Sequence, residues 1–386
     1  MIRILDTEVE LEYPLGHHQH CLVAQIPVRL RKGDVGLVLE DREAQWSTVR
    51  SVLELVAAGD RGLRNLHFLM LPESALPAER LDDALAQVDR FQPNTVAMLG
   101  FEHVRLRDYR AILARFRADN AAAIALLERD VEAADILDIP VNWCCTAVKE
   151  ATGRLRVFLE AKTHPFHGEE FLDKGVDLYR GRHFYFFRST RSPFSFMVLV
   201  CLDYLYRSPY ESNIRAVIDH ANALFFRTRQ GLDALFVIQA NPKPEHRAYR
   251  DVLTGFYGEY LEETPGVRET VTVFGNASDE SAIAEHRGPG LYGASCVAMS
   301  RRHRIAPLDL PEFSTDDFGG APLRRLRFRT ATRLYYFNLP PPPHVDPRSS
   351  RLPLKVHTVL HATPEGGWER VGHDAMAEML EVERAG

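Results

Sequence analysis

Apolar residues along this chain recur in short runs, separated by stretches with helical spacing. Residues 21–29 (CLVAQIPVR) predict a strand. Trp46, Val49, Leu53 and Val56 then share one face of a helix starting near Asp41, because side chains three or four apart lie on one side of a helix. Leu66–Leu71 predicts a buried strand that stops at Pro72, which has no N–H to give a sheet. Leu81, Leu85 and Val88 mark a second helix, and Thr95–Leu99 a strand closed by Gly100. The stretch near 106–137, rich in alanine, leucine and charge, predicts one or two helices.

Strands return at Cys144–Val148, Leu155–Ala161 and Phe194–Val200, the last running straight into Cys201. A helix at 211–227, a strand at 233–239, a helix at 245–262 and strands at 269–274 and 293–299 continue the alternation. Two long extended segments follow, near 324–338 and 353–362, divided by the Pro340–Pro343 run, which favours an extended polyproline conformation. Alternating helices and very apolar strands predict an α/β protein whose strands are covered on both faces. No internal repeat is visible. The chain reads as one domain over 1–301 with a helical insertion near 106–137, and a C-terminal extension over 302–386 packing on that domain.

Composition narrows the function classes. The 386 residues are 45% hydrophobic and 26% charged, which suits a globular chain with a sizeable core. A formal net charge of −6 argues against a nucleic-acid binder working through a basic surface. No apolar run is long enough for a membrane span, and MIRILDTEVELEYPLG lacks the basic and apolar pattern of a secretory signal. Five scattered cysteines, an odd number, fit a reducing compartment better than a disulfide framework. A cytoplasmic enzyme is the expectation.

Three short sites end predicted strands, where α/β proteins commonly carry functional groups. Leu71-Pro72-Glu73-Ser74 puts a glutamate at a strand mouth; alone, it also fits a solvated loop. Ala161-Lys162-Thr163-His164 puts a lysine after a strand, followed by Glu169 and Glu170. A fixed ammonium there can stabilise a developing oxyanion, and a surface ion pair is the plain alternative. Val200-Cys201-Leu202-Asp203 puts a cysteine where it is either an activated nucleophile or core filling.

Other clusters carry less. Gly16-His17-His18-Gln19-His20-Cys21 holds zinc-type ligands but lacks a second ligand pair, so no metal site is assigned. Cys144 and Cys145 point to opposite faces of one strand, and with Cys296 they are expected in apolar packing. Arg188, Arg191 and Arg207 read as a solvated basic rim around the nucleophile strand.

Glu73, Lys162 and Cys201, each closing a different strand in that order, resemble the catalytic triad of the nitrilase (carbon–nitrogen hydrolase) superfamily. HFLMLPE, the hairpin VNWCCTAVKEATGRLRVFLEAK, FMVLVCLD, GLDALFVIQAN, Phe274-Gly275-Asn276 and Tyr292-Gly293-Ala294-Ser295 are similar to successive strands of that family. The resemblance covers about residues 21–300. It implies a four-layer α-β-β-α sandwich, assembled as a homodimer or larger homo-oligomer. It also implies a second active-site glutamate some eight residues after the lysine, which lands on Glu170, with Glu169 adjacent.

The chemistry so implied is cleavage of a non-peptide carbon–nitrogen bond in a small amide or carbamoyl compound through a cysteine thioester, with no metal or organic cofactor. Glu73 would be the base, Lys162 the oxyanion partner and Glu170 an orienting group, with Leu202, Asp203, His164 and Asn241 around the substrate. Two other classes stay open. One is an acyltransferase or ammonia-supplying subunit using the same thioester; the other is a catalytically silent interaction module. The sequence departs from the family pattern in the helices near 106–137, in the spacing of Tyr204–Glu211, and in NPKPEH after Ala240.

Overall fold

The structure is a computed structural model of the chain. It describes residues 2–13, 18–133, 136–166, 169, 178–206, 212–260, 264–284, 286–288, 291–301, 303–306, 313–317, 323–339 and 353–371. Helices and strands alternate, and the strands form three sheets.

The first large sheet has the order Arg3–Val9, His183–Ser189, Ser195–Val200, Ala234–Gln239, Val271–Asn276, Cys296–Ser300, Leu323–Phe328, Phe313–Asp317. Its centre is a parallel trio, Ser195–Val200 with Ala234–Gln239 and Val271–Asn276, followed by antiparallel neighbours. The second has the order Trp368–Arg370, Val356–Ala362, Arg333–Leu339, Gln19–Gln25, Leu66–Met70, Thr95–Arg105, Pro140–Lys149, Leu155–Ala161. It too is built on a parallel trio, Gln19–Gln25 with Leu66–Met70 and Thr95–Arg105, before the pairing turns antiparallel. A small sheet joins Arg29–Gly33 and Gly36–Leu39 to Ala282–Ile283 and His286–Arg287.

The strands of Ser195–Val200 type are buried throughout because each face has its own partner. Phe196, Val198 and Val200 belong to a core shared with the second sheet, while Met197 and Leu199 pack with Val217, Ile218 and Ala221 of the helix Asn213–Thr228. Between the large sheets, Phe68 lies 4.8 Å from Phe236 and 5.7 Å from Phe196, ring centre to ring centre, and Phe158 lies 5.0 Å from Phe187. Each such ring buried from water contributes about 1.5–3 kcal/mol. On the other side of the second sheet, the helix Arg42–Ala58 begins where Asp41 accepts the Ala44 N–H at 2.9 Å. It buries Trp46, Val49, Leu53 and Val56, and ends at Gly59 in the left-handed conformation (φ 64°).

Several elements differ from the expectation. The strand expected to close at Gly100 runs on to Arg105. Gly100 is needed mid-strand for a different reason: a Cβ there would lie 2.3 Å from the Pro72 carbonyl oxygen. The helix expected over 245–262 spans Arg247–Gly255 and continues as a wider turn over Phe256–Tyr260. The extended segment near 324–338 is two strands, Leu323–Phe328 in the first sheet and Arg333–Leu339 in the second. Strands on the C-terminal side of residue 301 thus add hydrogen-bonded rows to both large sheets. The stretch near 106–137 forms Leu106–Arg115 and Arg117–Ala133, packed on the strands around Pro140–Lys149. Pro340–Pro343 lies outside the described residues. No helix among the described residues is long and apolar enough to cross a membrane.

Candidate active site

Four strand ends come together, three of them from the parallel trios. Leu66–Met70 leads into Glu73, Leu155–Ala161 into Lys162, Ser195–Val200 into Cys201, and Ala234–Gln239 into Ala240 and Asn241. Glu73 is held by a crossing of backbones. Leu71 N–H bonds the Met98 carbonyl at 2.9 Å and Leu76 N–H the Gly100 carbonyl at 3.0 Å, so residues 72–75 arch over Gly100. A side chain at 100 would fill that arch.

Lys162 is fully buried, and its Nζ donates to Glu73 Oε1 and to Glu169 Oε2, each at 2.7 Å. The Phe166 ring lies 5.1 Å from the same nitrogen. Burying an ammonium opposes its charge, yet the carboxylates of Glu169 and Glu73 more than offset this and hold Lys162 well above the ordinary lysine range. Glu169 shows the reciprocal effect. Burial opposes its charge too, but Lys162 and then His103 bring its pKa down to about 2. Its Oε1 accepts from Asn142 and, at 3.1 Å, from His103 Nε2; its Oε2 also accepts the Phe166 N–H at 2.9 Å. Glu73 accepts in addition from Asn142 Nδ2 at 2.8 Å and from the Ala240 N–H at 3.0 Å.

Cys201 closes its strand with a positive φ of 46°, a conformation that non-glycine residues adopt at a cost of about 1–3 kcal/mol and mostly at functional turns. Glu73 is the charged neighbour that acts most strongly on its thiol. Burial, and next the Glu73 charge, raise the thiol well above the ordinary cysteine range, Lys162 pulling the other way. The group is therefore a neutral thiol at neutral pH, and making it a nucleophile needs a base beside it. Glu73 is a carboxylate beside it.

Cys201 opens onto a cleft of about 300 Å³ whose walls include Phe166, Leu202, Leu205, Ala240, Tyr249 and Asn241. Lys243, His246 and His286 stand at the same cleft. The lining is mainly apolar. Tyr249 donates its hydroxyl to Gln239, which fixes the ring against the cleft.

The expected site residues divide as follows. Glu73, Lys162 and Cys201 meet in one cluster, and Leu202 and Asn241 line the cleft beside them. Asp203 and His164 do not line it. Asp203 Oδ1 instead accepts the Thr163 N–H at 3.0 Å, the Thr163 hydroxyl at 2.6 Å and the His164 N–H at 3.2 Å, tying the nucleophile turn to the lysine segment. His164 stacks on Tyr206. Glu170 lies outside the described residues, and its neighbour Glu169 is the carboxylate that contacts Lys162. Cys296 is not in purely apolar packing, because the Arg325–Glu245 ion pair lies beside it. Cys144 and Cys145 are buried.

Asn142 and His103 were absent from the expected set. Asn142 opens the hairpin that delivers Lys162, which was a usable signal; His103 carried none. Among the described residues, no group of three or more His, Cys, Asp or Glu is arranged to hold a metal ion. No protein-family model matches this chain, and no curated protein matches it.

Proposed function

We propose that the chain is a cysteine-dependent carbon–nitrogen hydrolase of the nitrilase type, and that its paired sheets with outer helices are that family's four-layer α-β-β-α sandwich. One observation carries the reading: a buried lysine bridges two carboxylates at 2.7 Å, one of which, Glu73, acts by its charge on the thiol of a cysteine whose strained turn borders a cleft. Burying two carboxylates and an ammonium has a large desolvation cost, so the arrangement is poor as mere core filling. It suits a reaction that moves one proton and one negative charge.

The thiol proton passes to Glu73 as sulfur attacks the carbonyl carbon of an amide or carbamoyl group. Lys162 and the backbone N–H of Leu202 stabilise the resulting oxyanion, donors that typically contribute about 3 kcal/mol each. Glu73 then gives the proton to the leaving nitrogen, releasing ammonia or an amine and leaving a thioester on Cys201. Water attacks the thioester with Glu73 again as base, freeing the acid and restoring the thiol. Throughout, Glu169 keeps Lys162 in place when Glu73 is neutral. The largely apolar cleft fits an amide whose acyl part is apolar. The family resemblance also assigns a homo-oligomeric assembly.

The deciding experiment is ammonia release from a panel of carboxamides, carbamoyl compounds and nitriles, comparing the protein with Cys201→Ala. Turnover that Cys201→Ala abolishes, with an acyl adduct detected by intact mass on the parent protein, supports the proposal. Turnover that survives Cys201→Ala, or none with any of these substrates, overturns it.

A further inference from the structure

His103 and Glu169 are both completely buried, with His103 Nε2 3.1 Å from Glu169 Oε1. The strand Thr95–Arg105 pairs antiparallel with Pro140–Lys149 in steady register as far as Phe101 opposite Trp143, and resumes with Val104 opposite Val141. Two residues, Glu102 and His103, therefore face one, Asn142. This is a β-bulge, and bulges re-aim side chains next to functional sites. Glu102 turns to the Leu39 N–H at 2.9 Å and to Arg42 at 2.8 Å, while His103 turns to Glu169.

The two ring nitrogens of His103 have separate partners. Nδ1 accepts the Leu37 N–H at 3.1 Å, so it presents a lone pair there. The single proton of a neutral ring must then sit on Nε2, where it is donated to Glu169. The small sheet supplies the Leu37 donor, and only a glycine lets it come so near. Gly36 has φ 104°, and a Cβ on it would lie 2.7 Å from His103 Nδ1.

We propose that His103 is a positioning residue for the hydrolysis argued above: by donating to Glu169 from a tautomer fixed by the Leu37 N–H, it keeps Glu169 an ionised partner of Lys162 and leaves Glu73 as the carboxylate that trades the proton with Cys201. The role rests on the hydrolase reading. The two glutamates need such a division, because each lies at the same distance from Lys162. Glu169 accepts from Lys162, His103, Asn142 and the Phe166 N–H, a donor set that disfavours taking up a proton. Glu73 accepts from Lys162, Asn142 and the Ala240 N–H, and its charge acts on the Cys201 thiol. Among the described residues, the titratable groups facing Glu169 are Lys162 and His103 and, across Lys162, Glu73 and Cys201.

Two substitutions separate this role from packing. His103→Asn keeps an acceptor near the Leu37 N–H but loses the donor to Glu169. His103→Gln places an amide N–H near the Nε2 position but loses the Nδ1 acceptor. His103→Asn is expected to lower kcat about tenfold or more, the worth of a lost hydrogen bond to a charged group, with KM unchanged. It should also move the acid limb of the kcat/KM–pH profile upward, since Glu169 then binds a proton more readily. His103→Gln should restore the limb and most of kcat. In the unsubstituted protein, 15N NMR of the imidazole should find the neutral ring protonated at Nε2, a readout that needs no substrate. Wild-type kcat and limb in His103→Asn, equal impairment in both variants, or a proton on Nδ1 would each overturn the proposal. If the unsubstituted protein turns over no substrate, the hydrolase reading fails instead, and the NMR result still decides the tautomer.

Discussion

A Cβ on Gly100 would lie 2.6 Å from the Glu73 Cα, closer than real side chains approach a backbone. The segment carrying Glu73 and the strand beneath it therefore fit only with glycine at that point. Gly100→Ala must push the Pro72–Ser74 backbone outward, since the atoms it meets are peptide atoms and not a flexible side chain. Expected consequences are a loss of about 1–3 kcal/mol in urea denaturation and a fall in turnover from displacement of Glu73. Unchanged stability and turnover would show that the crossing is looser than described.

Glu73 raises the Cys201 thiol pKa through its charge, second only to burial. Glu73→Gln should therefore move two measurements in opposite directions. Turnover should fall about 10²–10⁴-fold, because the amide cannot accept a proton. Iodoacetamide alkylation of Cys201 should gain its thiolate-dependent rise at lower pH than in the parent protein. A profile unmoved or moved upward would remove Glu73 from contact with the thiol.

Glu169 ionises at a pKa of about 2, below the ordinary 4.5, because Lys162 and His103 outweigh burial. A depressed carboxyl contributes stability that is present above its unfolded value and lost as pH falls through the folded one. The gap in urea midpoint between the parent protein and Glu169→Gln should accordingly narrow as pH is lowered from 5 toward 2. A gap constant across that range would mean that the ion pair contributes nothing pH-dependent.

Asp203 has the opposite sign. Burial raises its pKa from 3.8 to about 7, against the hydrogen bonds from Thr163. The folded chain then holds a proton that the unfolded chain has already lost, so this group's contribution falls as pH rises from 3.8 to about 7. Asp203→Asn keeps an oxygen for the Thr163 and His164 donors without a charge. Its stability relative to the parent protein should improve between pH 4 and pH 8. A relative stability that worsens over that interval would indicate that the carboxylate form is the one the fold prefers.

Much of this site was legible in the chain because its chemistry ends strands, and strand ends are visible as apolar runs that stop. Glu73, Lys162 and Cys201 each follow such a run, and the helix beginning at Asp41 shows in the spacing of Trp46, Val49, Leu53 and Val56. Local periodicity reports which face of an element is buried, and that information is carried by a few neighbouring residues. It does not report what crosses that face.

Gly100 looked like a strand terminus because a glycine weakens a strand, whereas tertiary structure uses it mid-strand to let another backbone pass. His103 was invisible because its direction depends on a bulge, and a bulge is a mismatch between two strands that neither strand carries alone. The pairing of Leu323–Phe328 with one sheet and Arg333–Leu339 with the other was hidden in a continuous extended segment for the same reason. Even the choice between Glu169 and Glu170, adjacent and chemically identical, was open in sequence. Only the fold placed Glu169 between Lys162, Asn142 and His103, because donors from three separate segments must converge on one carboxylate for its burial to be tolerable.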